Sequence, residues 1–396
     1  MFESVPTSPP DPILGLVEAF QKDERDGKIN LTTGVFKDDA GNTPVLDCVK
    51  AAEKLILDSE TSKGYLGIGG HEGFNGNVKQ LVFGDDIARD RICTFQTPGG
   101  TGALRVAADF LSRNYPKSKI LLSSPTWPNH PTIFTAAGVP IESFTYLASD
   151  RRHLDFQGMM ESLKTLANEG DIICLHACCH NPTGVDLSQA QWEELAEFTS
   201  ERKLLPLVDF AYHGFGHGLS EDRSALTKLL KRHDELLVCS SYSKNFGLYS
   251  ERIGALSVVC KDSSVTTAVN SAVKQCIRSN YSNPPRHGAA IVTTILDSVE
   301  LTNQWHTELK AMRDRIHTTR DEFVSCLKAK NCPTDFSFLL KQNGMFSFSG
   351  LTPMEVDRLR SDFGVYIVGS GRINVAGITS SNIDPLATAV TQVLSA

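Results

Sequence analysis

The chain has 396 residues, 41% of them hydrophobic and 21% charged, a composition typical of a globular protein. Its net charge of −7 argues against nucleic acid as the main partner, because binding phosphates requires a basic surface. No apolar run approaches the roughly 18 residues of a membrane span, and residues 1–6 lack the basic flank of an export signal. We therefore expect neither a membrane span nor an export signal.

Length and cysteine content indicate the number of domains and the compartment. A single core stops growing near roughly 250 to 300 residues, so the length predicts a large domain and a smaller one. The ten cysteines form no CxxC pair, which fits neither a zinc site nor a disulfide framework. They indicate buried thiols in a reducing compartment, so we expect a cytoplasmic protein without a metal site.

The N-terminal segment predicts an arm, two helices and a strand. Residues 9–12 include three prolines and form an extended arm, because proline fixes φ and lacks an N–H donor. Asp11 is a candidate cap for a helix over 12–22. Apolar residues at helical spacing predict a second helix over 44–58, and residues 30–36 indicate a short strand.

A glycine turn at residues 97–102 lies between a strand predicted over 91–96 and a helix predicted over 103–113. A turn that opens a helix presents free N–H groups and the positive end of the helix dipole to an anion. A tight turn without a ligand explains the same sequence about equally well. The candidates for binding an anion here are Gly99, Gly100 and Thr101.

Three aromatic side chains are weaker candidates for ligand contacts. Tyr65 lies in the glycine-rich loop 64–70 and offers a phenolic donor, although most such loops bind nothing. Trp127 and His130 lie in the loop 124–131 after a strand. Trp127 has the right shape to cover a flat ring, with His130 behind it, but most tryptophans are simply packed in the core.

Apolar runs alternate with helical stretches through the middle of the chain. This alternation predicts an α/β fold, with a mostly parallel sheet between helices on both faces. The predicted strands are 119–123, 140–144, 172–177, 205–208, 236–239 and 255–259, and the predicted helices are 156–167, 189–202 and 224–231.

Polar residues follow several of these strands. Asn181 lies in the loop 176–184, and Asp209 comes directly after the apolar run 206–208. Ligands of open α/β sheets bind at the carboxyl ends of the strands, so these loops should converge. A carboxylate at a buried strand end requires a cation. A protonated pyridine nitrogen would serve, and so would a nearby lysine or arginine.

A lysine follows the buried run 235–239, and it is where we place the chemistry. Burial disfavours the charged form of Lys244, leaving an amine that can form a Schiff base with a carbonyl. The hydroxyls of Ser241 and Ser243, with the guanidinium of Arg252, could bind a phosphate nearby. Together these groups suggest pyridoxal phosphate. Alternatively, Lys244 is an ordinary solvated charge on a surface loop.

The C-terminal third predicts a second domain of mixed structure. A helix starts near residue 265 and precedes the polar segment 278–285, and residues 294–327 predict one or two long helices. The remaining predicted elements are strands at 336–339, 345–348 and 366–368, a helix at 353–363, and a final segment at 370–375 that contains Arg372.

Seven motifs, taken in order, resemble the aspartate and aromatic aminotransferases, which are fold type I pyridoxal-phosphate enzymes. The similarity runs from residues 11–16 to the C-terminus. The motifs are Gly99-Gly100-Thr101-Gly102, Trp127-Pro128-Asn129-His130, His180-Asn181-Pro182-Thr183-Gly184, Asp209-Phe210-Ala211-Tyr212, Ser241-Tyr242-Ser243-Lys244-Asn245, Arg252, and Gly371-Arg372-Ile373-Asn374. The resemblance implies a large cofactor-binding domain over 41–311 and a small α+β domain built from residues 1–40 and 312–396.

The resemblance also implies roles around the cofactor. Lys244 would bind it covalently and later move a proton as general acid and base, and Asp209 would hold the proton on the ring nitrogen. The other implied contacts are stacking by Trp127, hydrogen bonds to the ring oxygen from Asn181 and Tyr212, support of Asp209 by His130, and phosphate contacts from Gly99, Gly100, Thr101, Ser241, Ser243, Arg252 and the neighbouring subunit's Tyr65.

For the substrate, the resemblance implies that Arg372 binds the α-carboxylate. Arg278 of the neighbouring subunit would bind the side-chain carboxylate of aspartate or glutamate, so the enzyme would be a homodimer with shared active sites. Donor and 2-oxo acid would use one pocket in turn, in a ping-pong reaction, with Trp127, Asn181 and Gly34 also near the substrate. Thr32 and Thr33 depart from the glycine–isoleucine pair that relatives usually have before Gly34.

Three functions remain open at this stage. The first is aspartate:2-oxoglutarate aminotransferase, with aromatic amino acids as alternative donors. The second keeps fold and cofactor but catalyses β-elimination or decarboxylation. The third is a binding protein without catalysis, which the joint presence of Lys244, Asp209 and two arginines disfavours.

Overall fold

A computed structural model describes residues 2–7 and 14–395, so the predicted arm over 9–12 and the cap at Asp11 lie outside the described residues. The described chain forms fourteen α-helices and eleven strands. The helices are α1 Leu14–Lys22, α2 Asp47–Ser59, α3 Glu72–Phe83, α4 Gly99–Asn114, α5 Asn129–Ala136, α6 Phe156–Leu166, α7 Gln189–Glu201, α8 Leu219–Asp222, α9 Ser224–Arg232, α10 Ser263–Asn280, α11 His287–Asp297, α12 Val299–Ala329, α13 Pro353–Phe363 and α14 Ile383–Ser395. The strands are β1 Ile29–Asn30, β2 Ile92–Pro98, β3 Ile120–Ser124, β4 Ile141–Thr145, β5 Ile172–His176, β6 Leu205–Phe210, β7 Leu236–Ser241, β8 Ile253–Val259, β9 Phe346–Phe348, β10 Val365–Tyr366 and β11 Arg372–Asn374.

The centre of the molecule is a seven-stranded sheet in the order β2-β8-β7-β6-β5-β3-β4. Neighbouring strands are parallel from β7 to β4, whereas β8 is antiparallel to both β2 and β7. This confirms the predicted α/β fold with a mostly parallel sheet. All six strands predicted in the middle of the chain occur, with ends shifted by up to two residues.

Both faces of the sheet are covered by helices, which explains why its strands read as unbroken apolar runs. Along β7, Leu237 and Cys239 belong to a core cluster with helices α4 and α10. The alternate residues Leu236 and Val238 belong to a larger cluster on the opposite face, to which α2, α3, α7, α11 and α12 contribute. Side chains of a strand point alternately to the two faces, so one apolar run supplies both cores.

A third core cluster joins the two ends of the chain. Ile29 and Leu31 pack there with apolar residues between 323 and 393, and β1 pairs in parallel with β10. This shared core supports a small domain made from both termini. The boundaries at 40/41 and 311/312 stay predictions. No helix in the described ranges combines the length and apolarity needed to cross a bilayer.

Two predicted strands are wrong for local reasons. Of residues 30–36, only Asn30 belongs to a strand, because side chains rather than a neighbouring strand bind the backbone carbonyls of Thr32, Thr33 and Val35. Residues 337–341 form a 3₁₀ helix instead of a strand. There the carboxylate of Asp335 accepts hydrogen bonds from the N–H and the hydroxyl of Ser337, which favours a turn over an extended chain.

Helix boundaries in the C-terminal half also differ from the prediction. The stretch 294–327 belongs to two helices, α11 and α12, which are separated at Ser298. The hydroxyl of Ser298 accepts the N–H of Leu301 and caps α12. Arg278 lies in the last turn of α10 rather than after it, and the predictions did not include α3, α5, α8 or α14.

Helix α12 is docked against the lysine segment by one buried tryptophan. The Trp305 Nε1–H donates to the carbonyl of Asn245 over 2.7 Å. Its ring stacks on Phe246, with centroids 4.3 Å apart and planes at 11°. Because Asn245 and Phe246 directly follow Lys244, this contact ties the loop that carries the amine to the longest helix.

We expect Trp305→Phe to lower the free energy of unfolding by about 2 kcal/mol, since it removes buried surface and leaves a buried carbonyl without its donor. Urea unfolding at one protein concentration measures the loss. Val299→Ala, at the exposed start of the same helix, is the control and should change stability by less than about 0.5 kcal/mol. Equal losses for the two variants would contradict the role of the Trp305 contact.

Candidate active site

A cavity of about 280 Å³ lies where strands of the central sheet end and the small core begins. Strands β6 and β7 contribute residues at or just beyond their carboxyl ends, as expected for a parallel sheet. The N-terminal segment and the strands β9 and β11 close the other side. The lining residues are Gly34, Gly100, Thr101, Leu104, Trp127, Asn181, Asp209, Ala211, Tyr212, Ser241, Ser243, Lys244, Tyr249, Arg252, Phe346 and Arg372.

Most site residues predicted from the sequence meet at this cavity. Of the others, Gly99 lies against Arg252 and His130 is hydrogen-bonded to Asp209, so both adjoin it. Tyr65 and Arg278 do not line the cavity: Tyr65 is 96% exposed, and Arg278 is exposed in the last turn of α10. Within one chain, these two side chains are therefore separate from the site.

Lys244 follows the end of β7, in a turn closed by a 3.0 Å hydrogen bond from the Gly247 N–H to its carbonyl. The Nζ atom lies 4.9 Å from the centre of the Tyr212 ring. Burial lowers the pKa of Lys244 to about 8, with Asp209 raising it and Arg252 lowering it. A substantial fraction of this amine is therefore neutral near pH 8, as a nucleophile requires.

Asp209 lies near the end of β6 and is buried. Its Oδ2 is 3.0 Å from Nε2 of His130, whose Nδ1 is 2.8 Å from the Thr126 hydroxyl. An ionised carboxylate only accepts hydrogen bonds, so Nε2 of His130 donates to Asp209, while Nδ1 faces the Thr126 hydroxyl. Burial alone would raise the pKa of Asp209, but the hydrogen bond from His130, with the nearby Lys244, outweighs burial and lowers it.

His176 lies beside His130 and Asp209, and the sequence analysis gave it no role. Its ring centroid is 5.2 Å from that of His130, and its buried Nε2 has no hydrogen-bond partner in the described chain. Burial lowers the pKa of His176 to about 3, so the ring is neutral at physiological pH. His130, His176 and Asp209 bring three potential ligand atoms within 4.8 Å of one another, although the sequence predicts no metal.

The start of α4 forms an anion cradle that depends on glycine. Gly99 has φ +72°, and a Cβ there would lie 2.4 Å from a guanidinium nitrogen of Arg252. A Cβ on Gly254 would lie 2.4 Å from the backbone carbon of Gly99. Without side chains at these two positions, Arg252 and β8 can pack closely against the start of α4. The free N–H groups of its first turn are then available to an anion in the cavity. The Ser241 and Ser243 hydroxyls, 3.2 Å apart, face the same cavity.

Asn181 and Tyr212 form an incompletely satisfied pair. The Asn181 Nδ2 donates to the Tyr212 hydroxyl over a long 3.4 Å, and the buried Oδ1 has no hydrogen-bond partner in the described chain. Burial raises the pKa of Tyr212, so its hydroxyl stays protonated and can donate. A ligand oxygen at this place would improve the hydrogen bonding of both groups.

Arg372 is a buried cation, 2% exposed, on β11. One Nη2–H donates to the carbonyl of Thr32 over 2.7 Å, and the guanidinium lies 4.2 Å from the centre of the Phe346 ring. Its buried Nε has no hydrogen-bond partner in the described chain. Burial lowers the pKa of Arg372 to about 10, so it remains charged and lacks a carboxylate among its described hydrogen-bond partners.

Sequence reasoning missed several residues of the wall, including Leu104, Ala211, Tyr249 and Phe346. Tyr249 accepts the N–H of Phe36 over 2.9 Å, and Phe346 leaves no room for a side chain on Gly34, whose Cβ would lie 2.7 Å from Cζ of Phe346. Phe346 lies within a segment that was predicted only as a strand. No local signal distinguishes such a wall residue from core.

The chain is similar to aminotransferases over its whole length. The profile of the Aminotransferase class I and II family matches residues 26–390. An aspartate aminotransferase of Salmonella typhi is 51% identical, covering 100% of both chains. An aromatic-amino-acid aminotransferase of Burkholderia pseudomallei, solved covalently bound to pyridoxal phosphate, is 44% identical, with TM-score 0.97 and coverage of 100% of this chain and 99% of the other. An aromatic amino acid aminotransferase of Psychrobacter sp. B6, cocrystallised with aspartic acid, is 42% identical, with TM-score 0.96 and full coverage of both chains.

The pKa of Lys244 predicts how fast the apo-protein reacts with added pyridoxal phosphate. The rate of covalent attachment should rise about tenfold per pH unit below pH 8 and level off above it, following the neutral amine. Borohydride trapping and peptide mapping measure attachment at Lys244.

Asp209→Asn should shift this pH profile to lower pH, because the charge of Asp209 raises the pKa of Lys244. The exposed Lys310, which lies outside the cavity, serves as an internal control for the amount of label. A rate at Lys244 that still climbs about tenfold per pH unit between pH 9 and pH 10 would contradict the lowered pKa.

Proposed function

The chain belongs to the class I and II aminotransferases, and we propose that it transfers the amino group of L-aspartate to 2-oxoglutarate, giving oxaloacetate and L-glutamate. The enzyme uses pyridoxal phosphate. The observation that carries the proposal is one cavity that holds a partly neutral Lys244, an ionised Asp209 and an unpaired Arg372. A nucleophilic amine, a partner for a ring nitrogen and a carboxylate receptor are what this reaction requires.

The residues of the cavity fit the cofactor. We propose that Asp209, supported by His130, pairs with the ring nitrogen, and that Trp127 covers one face of the ring. The ring oxygen would complete the unsatisfied pair of Asn181 and Tyr212. The phosphate would bind the glycine cradle at the start of α4, together with hydroxyls and one guanidinium, from Gly99, Gly100, Thr101, Ser241, Ser243 and Arg252.

The cofactor supplies an electron sink for the pair left at the amino acid Cα when its proton is removed. Lys244 Nζ takes that proton and returns it, and a pKa of about 8 suits both directions of transfer near neutral pH. Asp209 must stay ionised to hold a proton on the ring nitrogen, and its lowered pKa ensures this. His130 orients the carboxylate without itself touching the ring.

Arg372 is proposed to bind the α-carboxylate of every substrate. Its Nε is free to donate, and a planar guanidinium binds a carboxylate through two parallel hydrogen bonds. The buried charge has no anionic partner within residues 2–7 and 14–395, so a substrate carboxylate would relieve a desolvation cost already present. Donor and 2-oxo acid both carry this group, which supports a ping-pong reaction in one pocket.

We propose that the second arginine of the site, Arg278, comes from a neighbouring subunit together with Tyr65. Both are exposed, and their segments are joined on one surface: the Asn283 Nδ2 donates to the Leu66 carbonyl over 2.8 Å. Apolar side chains are exposed just before this loop, with Leu57 at 79%. Exposed apolar side chains close in sequence to Tyr65, together with two site residues missing from the cavity, support a homodimer with shared sites.

Aromatic amino acids are the alternative donors. Relatives named for aromatic substrates match the chain over its full length, and one of them was cocrystallised with aspartic acid. A pocket whose wall includes Phe346 and Trp127, with the arginine of a neighbouring subunit beside it, would accept either a ring or a carboxylate. We propose aspartate as the preferred donor because of the 51% identical aspartate aminotransferase.

We also propose that the enzyme acts in the cytoplasm. All ten cysteines belong to the described residues and are free thiols, and eight of them are buried. Unpaired thiols in this number suit a reducing compartment.

We expect Arg278→Leu to lower kcat/KM for aspartate by about 100-fold or more, since a charge-paired carboxylate loses its partner. The value for phenylalanine should change less than about fivefold, as its side chain has no charge to pair. The matched control is Arg113→Leu, because Arg113 contacts Ser279 next to Arg278; it should leave both values unchanged.

The same assay separates the functions considered from the sequence. Oxaloacetate and glutamate as products identify transamination, whereas pyruvate or alanine from aspartate would indicate β-elimination or decarboxylation. Equal losses for aspartate and phenylalanine in Arg278→Leu would exclude Arg278 as the selecting residue.

A hybrid dimer tests whether the sites are shared. Lys244→Ala and Arg278→Leu chains, co-expressed with different affinity tags and purified through both, should regain about half of the wild-type activity with aspartate. One of the two sites then combines an intact lysine with the partner's intact arginine. Each variant homodimer should be nearly inactive, and a hybrid no better than its parents would show that the arginine acts within its own chain.

A further inference from the structure

The buried Arg372 guanidinium is oriented by the backbone of one residue in the opposite wall. Its Nη2 donates to the Thr32 carbonyl over 2.7 Å, and its guanidinium carbon lies 4.2 Å from the centre of the Phe346 ring. Contact with the Phe346 ring limits how far the guanidinium lies from the wall, but it does not fix the directions of the N–H groups. The Thr32 carbonyl is therefore the contact that determines where the remaining N–H groups point.

The Thr32 peptide is itself held by a local turn. Both its backbone N–H and its hydroxyl donate to Oδ1 of Asn30, over 3.0 and 2.7 Å. Asn30 is anchored in β1, which pairs with β10, and Thr32 is completely buried. The hydroxyl bond thus couples the carbonyl that orients Arg372 to a fixed strand.

The residues that follow are held differently. Nδ2 of Asn374 donates to the carbonyls of Thr33 and Val35, which fixes the loop beyond Thr32. The bonds from Asn374 use backbone carbonyls of the loop, whereas the bond from Thr32 to Asn30 requires a hydroxyl side chain at position 32. A glycine at this position would have no hydroxyl and would allow the peptide more backbone conformations.

We infer that Thr32 is a positioning residue for substrate carboxylates: its hydroxyl, bound to Asn30, fixes the carbonyl that orients Arg372. The inference rests on the proposed function, in which Arg372 binds the α-carboxylate. Thr32 touches neither substrate nor cofactor in this role. It acts on the binding of every carboxylate ligand and leaves the proton transfer at Lys244 unchanged.

Thr32→Val tests the inference, since it keeps the branched shape and removes the hydroxyl. We expect the Kd of succinate, measured by calorimetry on the holoenzyme, to rise about three- to tenfold, which corresponds to one ordinary hydrogen bond. Succinate has two carboxylates and no amino group, so it binds without reacting. KM for aspartate and for phenylalanine should rise in parallel, with kcat changed less than about twofold.

Three further variants make the outcome decisive. Thr32→Ser keeps a hydroxyl and should restore wild-type affinity, whereas Thr32→Gly should weaken binding as valine does, even if valine disturbs folding. The control Thr199→Val removes the hydroxyl of another fully buried threonine, one that bonds the α7 backbone, and should leave succinate binding unchanged. A role of Thr32 in stability alone would lower Tm without changing Kd.

Arg372→Leu separates the two hypotheses. If it abolishes succinate binding while Thr32→Val and Thr32→Gly bind like wild type, the positioning role is refuted and the proposed function stands. If Arg372→Leu binds succinate as tightly as wild type, Arg372 is not the carboxylate receptor and the proposed function itself is refuted.

Discussion

The active site depends on keeping an amine partly neutral and a carboxylate ionised within one buried cavity. Burial disfavours the charge on both groups, which suits Lys244 and works against Asp209. The hydrogen bond from His130 offsets that cost for Asp209, while Arg252 adds to the effect of burial on Lys244. Lys244 is therefore partly neutral and Asp209 is ionised in the same cavity, because each has a different neighbour. One cavity can in this way supply both a base and a counter-ion.

The fold produces this arrangement through strand ends. Strands β5, β6 and β7 are parallel neighbours, so residues at or just past their carboxyl ends meet at one edge: Asp209 near the end of β6, and Asn181 and Lys244 beyond β5 and β7. The reversed strand β8 starts at the same edge and brings Arg252 to the glycine turn of α4. The opposite wall, with Gly34, Phe346 and Arg372, comes from segments near the two ends of the chain. The proposed cofactor contacts thus come mainly from the sheet and the proposed carboxylate contact from segments near the chain ends, so the two can vary separately.

The sheet could be predicted because strands covered on both faces are unbroken apolar runs. The polar residues that end those runs then located Asp209 and Lys244. Other features depend on contacts between distant segments, which a single sequence does not record. Residues 30–36 have the composition of a strand, yet their carbonyls are bound by Arg372 and Asn374, more than 300 positions away. In the sequence, Phe346 and Tyr249 cannot be distinguished from core residues, and only the fold shows that they line the cavity. Likewise, only the fold shows that His176 lies beside His130.

Arg372 shows how an acidic protein can bind acidic substrates. The net charge of −7 repels a dicarboxylate at long range, but salt screens such repulsion beyond roughly 8 Å. Inside the cavity the nearest charges dominate, and the Arg372 guanidinium is buried without a carboxylate partner among the described residues. An aspartate or glutamate side chain built into this wall would have stabilised the fold and blocked the substrate. If Arg372 binds the α-carboxylate as proposed, the missing hydrogen bond at Nε is a cost in stability that a ligand carboxylate recovers, and this would make binding selective for carboxylates.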